Sequence, residues 1–223
     1  MDTATNYLGL ALYHADELIA EQIWRTDKKK HTTILAPTIT RMMQMCNVTY
    51  GELSMVAVAS GPGSHTGLRI GVAMAKGMAT ANQLPLIGVN TLDIIALGQS
   101  FVNAKHRLIC ILPAGRGRIV ARVYQVKKGR WTAGDDPELT NWADLLASLE
   151  AGAYYFAGEI DRDGLDAIDT IDSPDHTLTV IDPAQRTRRP AILAREAWQR
   201  YHDGAAEDFL PARLAPDYLS TPG

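Results

Sequence analysis

Ser60-Gly61-Pro62-Gly63-Ser64-His65-Thr66-Gly67-Leu68-Arg69-Ile70-Gly71 is the stretch on which the reading of this chain turns. It separates the apolar run Met55-Val56-Ala57-Val58-Ala59 from the helical run Leu68 to Ala81, a pattern of strand, sharp loop and helix. Such a loop aims backbone N–H groups at whatever lies above the helix N-terminus, so it is built for an anion or for a close neighbour. The common phosphate motifs do not fit. A P-loop needs a Gly-Lys pair that does not follow Gly61 or Gly63, and Lys76 comes two turns into the helix. The dinucleotide fingerprint fails because Thr66 stands where its third glycine belongs. The Ser-Gly-Pro-Gly-Ser run is no nucleophile elbow, since G-x-S-x-G is absent from it.

Beyond the loop, Gly67, Gly71, Ala75 and Ala79 recur every four residues and line one helix face. Glycine inside a helix costs about 1 kcal/mol relative to alanine, so a close approach of another backbone must compensate. Tight packing on the chain's own sheet and contact with a partner subunit both satisfy that requirement, and both stay open. Arg69, one turn into the helix, either bonds loop carbonyls or reaches toward an anion.

The chain has 223 residues with 46% hydrophobic content, enough for one good-sized core or two small ones. Its formal net charge is −3, with charges read as interspersed, so no basic surface announces a nucleic-acid binder. Cys46 and Cys110 lie in apolar runs far apart, which suits buried thiols rather than a disulfide or metal cluster. Without a signal-like start or an apolar run long enough to cross a bilayer, a cytoplasmic protein is expected. The six histidines are scattered, with no pair at ligand spacing.

Along the chain, residues 7–24 read as two strands around a turn near His14 to Glu17. Lys28-Lys29-Lys30 is expected to be a solvated turn. His31 to Cys46 carries a helical stripe through Leu35, Ile39, Met42 and Met43, with His31 in a packing or capping role. Pro85 to Val89 reads as a buried strand, with Thr91 as the cap of the next helix. A second hairpin follows over Arg107–Leu112 and Ile119–Val126, with a third strand near Trp131. Asn141 is placed to cap a helix from Trp142 to Leu149, and Tyr154 to Ala157 reads as a strand. Residues 161–175 read as an exposed acidic loop, 177–181 as a strand and 190–201 as a helix with proline in its first turn. Two lobes that each begin with a strand hairpin suggest an internal duplication, 1–103 and 104–223, the second with the carboxy-terminal helix and tail.

The run Gly61-Pro62-Gly63-Ser64 with Thr66-Gly67-Leu68-Arg69, then Gly71, Ala75-Lys76-Gly77 and Pro85 to Val89, resembles the bacterial TsaB (YeaZ) family of tRNA threonylcarbamoyladenosine biosynthesis proteins. That family is glycoprotease-like and belongs to the actin/Hsp70 superfamily. The resemblance implies an α/β, actin-like ATPase (ribonuclease H-like) fold, with two duplicated lobes of mixed sheet flanked by helices. It implies a non-catalytic subunit that binds and supports the catalytic TsaD subunit in forming N6-threonylcarbamoyladenosine. A TsaE-type ATPase would be a further partner, a homodimer an alternative assembly, and tRNA would be met only through the complex.

Residue by residue, the resemblance places a partner interface at Thr66, Gly67, Gly71, Ala75 and Met42, with Pro62, Ser64 and Arg69 shaping the loop. Asp2-Thr3 resembles the end of an actin-like first strand, so a weak ATP or ADP site would use Asp2, Thr3, Gly61 and Gly63. Relatives carry several apolar residues before this Asp, so either the first strand is curtailed or the start lies upstream. His65 stands where the family has Phe. TsaD carries two metal-binding histidines four residues apart where this chain has Thr91 and Ile95, so neither a metal nor a catalytic residue is expected, and no cofactor is required. Pro113 to Arg118 lacks the Asp of the relatives' Asp-Ala-Arg, which argues for poor hydrolysis. The rival readings are a stand-alone actin-like ATPase and a nucleotide-binding homodimeric module; a protease would need a metal or nucleophile set that is not found.

Overall fold

The structure, a computed structural model, describes residues 1–15, 17–26, 30–100, 103–204 and 206–219. It is an α/β protein that divides into two compact units, Met1–Ile94 with Arg189–Tyr218, and Ile95–Arg188 with Leu219.

In the first unit, strands β1 (Tyr7–His14) and β2 (Glu17–Arg25) form an antiparallel pair, and β3 (Val56–Gly61) and β4 (Leu86–Asn90) a parallel one. Residues 1 and 2 lie between them. Asp2 exchanges both backbone bonds with Gly9 of β1 at 2.8 Å, while Met1 donates to Ala57 O at 2.7 Å and accepts from Ala59 N at 3.1 Å. The two pairs thus read as one sheet stitched by the first two residues. The Met1 α-amine is buried there, and the loss of hydration pushes its pKa down to about 6.

Helices α1 (His31–Met45) and α2 (His65–Ala81) cover one face. Val56 and Val58 of β3 and Leu86 of β4 pack on Val72, Ala75 and Ala79 of α2, and Leu8 and Leu10 of β1 on Leu35, Ile39, Met42 and Met43 of α1. Ala59, Ile87 and Val89 alternate to the opposite face, as strand geometry requires, and there meet Leu193 and Ala197 of α7 (Pro190–Asp203). The sequence reading put α7 with residues 104–223, yet it packs on the first unit. The physical reason is coverage: residues 1–90 supply long helices for one face of their sheet, and Leu193 and Ala197 supply the apolar cover of the other. Glu21 of β2 fastens the start of α7 by accepting from Ala191 N at 2.9 Å and from Arg189.

The second unit holds the sheet β10-β9-β5-β6-β7, with β8 (Glu138–Thr140) also on β6. Its strands are β5 (Arg107–Gly115), β6 (Arg118–Lys127), β7 (Arg130–Ala133), β9 (Gly152–Gly158) and β10 (His176–Val180). β9 runs parallel to β5 and β10, and the rest pair antiparallel. Ile109, Ile111, Ile119, Ala121 and Phe156 form a core under Trp142 and Leu145 of α4 (Trp142–Ala147) and Ile168 of α5 (Arg162–Asp169). Asn141 caps α4, accepting from Asp144 N at 3.0 Å.

Residues 161–175 were read as an exposed loop, but α5 occupies 162–169. Asp161 caps it, accepting from Gly164 N at 2.9 Å and from the Trp142 indole N–H at 3.0 Å. Gly164 lets the Trp142 ring lie against the helix, because a Cβ there would overlap it. A short turn of helix, α6 (Pro183–Arg186), also escaped the sequence reading. The Lys28–Lys29 part of the lysine run lies outside the described residues.

Candidate functional site

The signature loop runs from the end of β3 into α2, and the amino-terminal segment fills the hollow that its glycines leave. Ser64 caps α2, its Oγ accepting from Gly67 N at 3.3 Å, and its own N–H donates to Ala4 O at 2.6 Å. Thr3, buried, donates from Oγ1 to Gly67 O at 2.7 Å. A Cβ on Gly67 would collide with the Thr3 carbonyl oxygen, one on Gly71 with Thr3 Oγ1, and one on Gly63 with the Ala4 carbonyl. The small-residue face of α2 is therefore a seat for residues 3 and 4.

This settles which way that face points. Gly67, Gly71, Ala75 and Ala79 are buried in the chain's own first unit, and Met42, on the buried face of α1, is only 4% exposed. Of the five residues named for a partner interface, Gly67, Gly71, Ala75 and Met42 are buried against this chain, and Thr66 alone is exposed. The compensating neighbour that glycine required is the backbone at Thr3 and Ala4.

A second strip covers the loop from above. Asp217 N donates to Ser60 O at 2.6 Å, and a Cβ on Gly61, whose φ is +130°, would collide with Asp217 O. Leu214 occupies the space over Gly88. The Tyr218 ring stacks on His65 with centroids 4.5 Å apart, which gives this flat side chain a packing role. Pro62 lies buried within the loop.

The residues named for a nucleotide thus all have work inside the chain. Asp2, 3% exposed, accepts from Ala4 N through Oδ1 at 2.9 Å. Thr3 holds Gly67, Gly63 faces Ala4, and Gly61 lies under Asp217. Among the described residues, no cluster of three His, Cys, Asp or Glu side chains is arranged to hold a metal ion. Thr91 and Ile95 are both buried in α3 (Thr91–Leu97), whose cap is Asn90 rather than Thr91: its Oδ1 accepts from Leu92 N at 2.9 Å.

What α2 does present outward is a groove along α1. Leu35, Ile70, Met74 and Met78 line it with Tyr50, Ala73 and Gly77, around about 850 Å³ of open space. Arg69 stands exposed at its edge. A Cβ on Gly77 would meet nothing. The sequence reading passed over this face because its residues follow no family motif; the Ile70, Met74, Met78 spacing was its available signal.

Residues 18–161 match the family model described as TsaD: tRNA N6-adenosine threonylcarbamoyltransferase. The chain belongs to the TsaD family. Within it, the Bacillus subtilis tRNA threonylcarbamoyladenosine biosynthesis protein TsaB is 28% identical, over 96% of this chain and 93% of that protein. The Escherichia coli protein of the same name is 29% identical over 62% of this chain and 59% of its own length. In structure, a Pseudomonas aeruginosa protein described as similar to peptidase YEAZ superposes with a TM-score of 0.76 at 21% identity, covering 98% of this chain and 97% of the other. No helix among the described residues is long and apolar enough to cross a membrane.

Proposed function

We propose that this chain is the TsaB-type, non-catalytic subunit of the assembly that forms N6-threonylcarbamoyladenosine in tRNA, where it binds and supports a TsaD-type catalytic subunit. The observation that carries the reading is the apolar groove between α1 and α2, which lies within the stretch matching the TsaD model. A partner built on the same lobe can present the corresponding helices, and two related faces pack by pseudo-twofold symmetry. Two further facts support it: nearly full-length likeness to TsaB, and buried Thr91 and Ile95 where metal ligands would be needed for catalysis. A TsaE-type ATPase would join this pair rather than this chain alone, and the chain works without a cofactor of its own. ATP or ADP at the glycine loop would require the 214–218 strip to lift, so nucleotide turnover by the isolated chain is the weaker reading.

The test is tRNA modification by the host's own TsaD and TsaE, supplied with threonylcarbamoyl-adenylate, with and without this chain. Gly77→Arg replaces an exposed helix glycine by a better helix former and fills the groove, so folding survives. Loss of both TsaD co-purification and modification in that variant supports the reading. Modification that proceeds equally without the chain overturns it. A stable homodimer through the groove, seen by size-exclusion mass measurement, would assign the face to self-association instead.

A further inference from the structure

A net charge of −3 conceals a strong segregation. Residues 105–130 contain eight Lys and Arg and no Asp or Glu, whereas residues 131–182 contain thirteen Asp and Glu and a single Arg, Arg162. The charges are not interspersed in this half of the chain. In the sheet order β10-β9-β5-β6-β7 the cations fall on the β5–β6–β7 side, where β8 with Glu138 also pairs with β6, while ten of the thirteen acids follow β8, in the helices and loops around β9 and β10.

Three of the eight cations, Arg107, Arg122 and Arg130, have partners within the chain. Arg107 pairs with Glu150 at 2.9 Å, and Arg122 donates to Asp135 O at 2.8 Å. The other five, Lys105, Arg116, Arg118, Lys127 and Lys128, are exposed. They gather at the two hairpin tips of the meander. Arg116-Gly117 joins β5 to β6, and Lys128-Gly129 joins β6 to β7, all four residues with positive φ. A Cβ on Gly117 or Gly129 would meet nothing, so both tips stand clear of neighbouring atoms. At the first position of such a turn Asn, Asp and Gly are favoured, and a cation there adds nothing to the turn.

The tips are separated by the length of β6, about 30 Å at the usual strand rise. That spacing is too great for one small anion and suits a polymer carrying a charge every few ångströms. We propose that the β5–β6–β7 meander binds an RNA phosphodiester backbone, with Arg116 and Lys128 at the two ends of the contact. The proposal rests on the reading above, which makes tRNA the substrate of the assembly, and adds a direct contact from this chain. The contacts would position RNA without reading its bases, while the acids in the helices and loops around β9 and β10 repel the backbone and so favour the meander side. An acidic protein is the competing occupant, and the test separates the two.

The experiment titrates a labelled, unmodified tRNA transcript by fluorescence anisotropy with the full chain, alone and with its TsaD-type partner, from low to physiological salt. The variant is Arg116→Asn with Lys128→Asn, which places Asn-Gly in both turns and so preserves or improves folding. Removing two phosphate contacts lowers the slope of log affinity against log salt by about two and weakens low-salt binding by about tenfold or more. Melting temperature and TsaD co-purification stay at their original values. Unchanged affinity and slope in the variant overturn the inference while leaving the subunit reading intact, as does an original chain that never binds tRNA in a salt-dependent way. Loss of a protein partner with tRNA binding retained also overturns it, and assigns the meander to an acidic protein.

Discussion

Gly71→Ala discriminates sharply between the two roles the small-residue face could have. In an exposed helix it would gain about 1 kcal/mol. Here the new methyl lands on Thr3 Oγ1, which is buried and donates to Gly67 O at 2.7 Å. Either Thr3 turns away and leaves a buried pairing broken, at about 1–3 kcal/mol, or α2 shifts on the sheet at a similar cost. After the helix gain, the net loss is about 1 kcal/mol and at most about 2, which lowers Tm by about 2–8 °C for a chain of this size. Thermal and urea denaturation followed by circular dichroism measures it. Thr3→Ala removes the colliding oxygen, so the double variant should be less destabilised than the sum of the two single ones. A Gly71→Ala protein as stable as the original, or more so, refutes the packing of residue 3 against α2 and returns the face to a partner.

Gly77→Ala, on the open side of the same helix, should raise stability by about 1 kcal/mol, and a fall in Tm would mean that something already sits against it. Asp161→Ala removes both the cap of α5 and the acceptor of the Trp142 indole, for an expected loss of about 1–3 kcal/mol by urea denaturation. Asp161→Asn should retain most of that stability, since Asn caps equally well. The α-amine of Met1 has a folded pKa of about 6 against 8.0 when free, so between those values the unfolded chain binds more protons. Stability from this group therefore rises from pH 6 to pH 8, by up to about 3 kcal/mol, and is flat outside that window. Comparison with an α-acetylated chain isolates the effect, and identical pH profiles for the two would show the amine to be hydrated.

The sequence revealed a good deal because its strongest signals are local. The apolar run of β3, the glycine loop and the stripe of α2 follow one another within 27 residues, from Met55 to Ala81, and the structure forms the elements they announce. Asn141 and the hairpin of β5 and β6 were legible for the same reason. What escaped depends on tertiary context. Periodicity says that Gly67, Gly71 and Ala75 share a face, but whether Thr3 or a partner covers it is decided by residues some 64 positions away. α5 hid behind its charge: in Arg162–Asp169 only Leu165 and Ile168 mark the buried side, and the Asp161 cap was read as one more acid. Nothing in residues 190–203 names the sheet they cover, because an amphipathic helix specifies its apolar face and not its partner. The Tyr218–His65 stack joins two aromatic positions with no pattern between them.

The strip from Leu214 to Tyr218 also bears on the order in which the chain acquires its structure during synthesis. The second unit is almost wholly continuous, Ile95–Arg188, and can close as soon as those residues have left the ribosome. The first unit cannot, because the cover of its second face and of Gly61 arrives with residues 190–218, which are made after the second unit's stretch. A chain arrested at Arg188 would present Ala59, Ile87 and Val89 to solvent, and protease should cleave its first 94 residues before its second unit. The nascent protein is therefore open around its glycine loop for the whole time that the middle of the chain is being made.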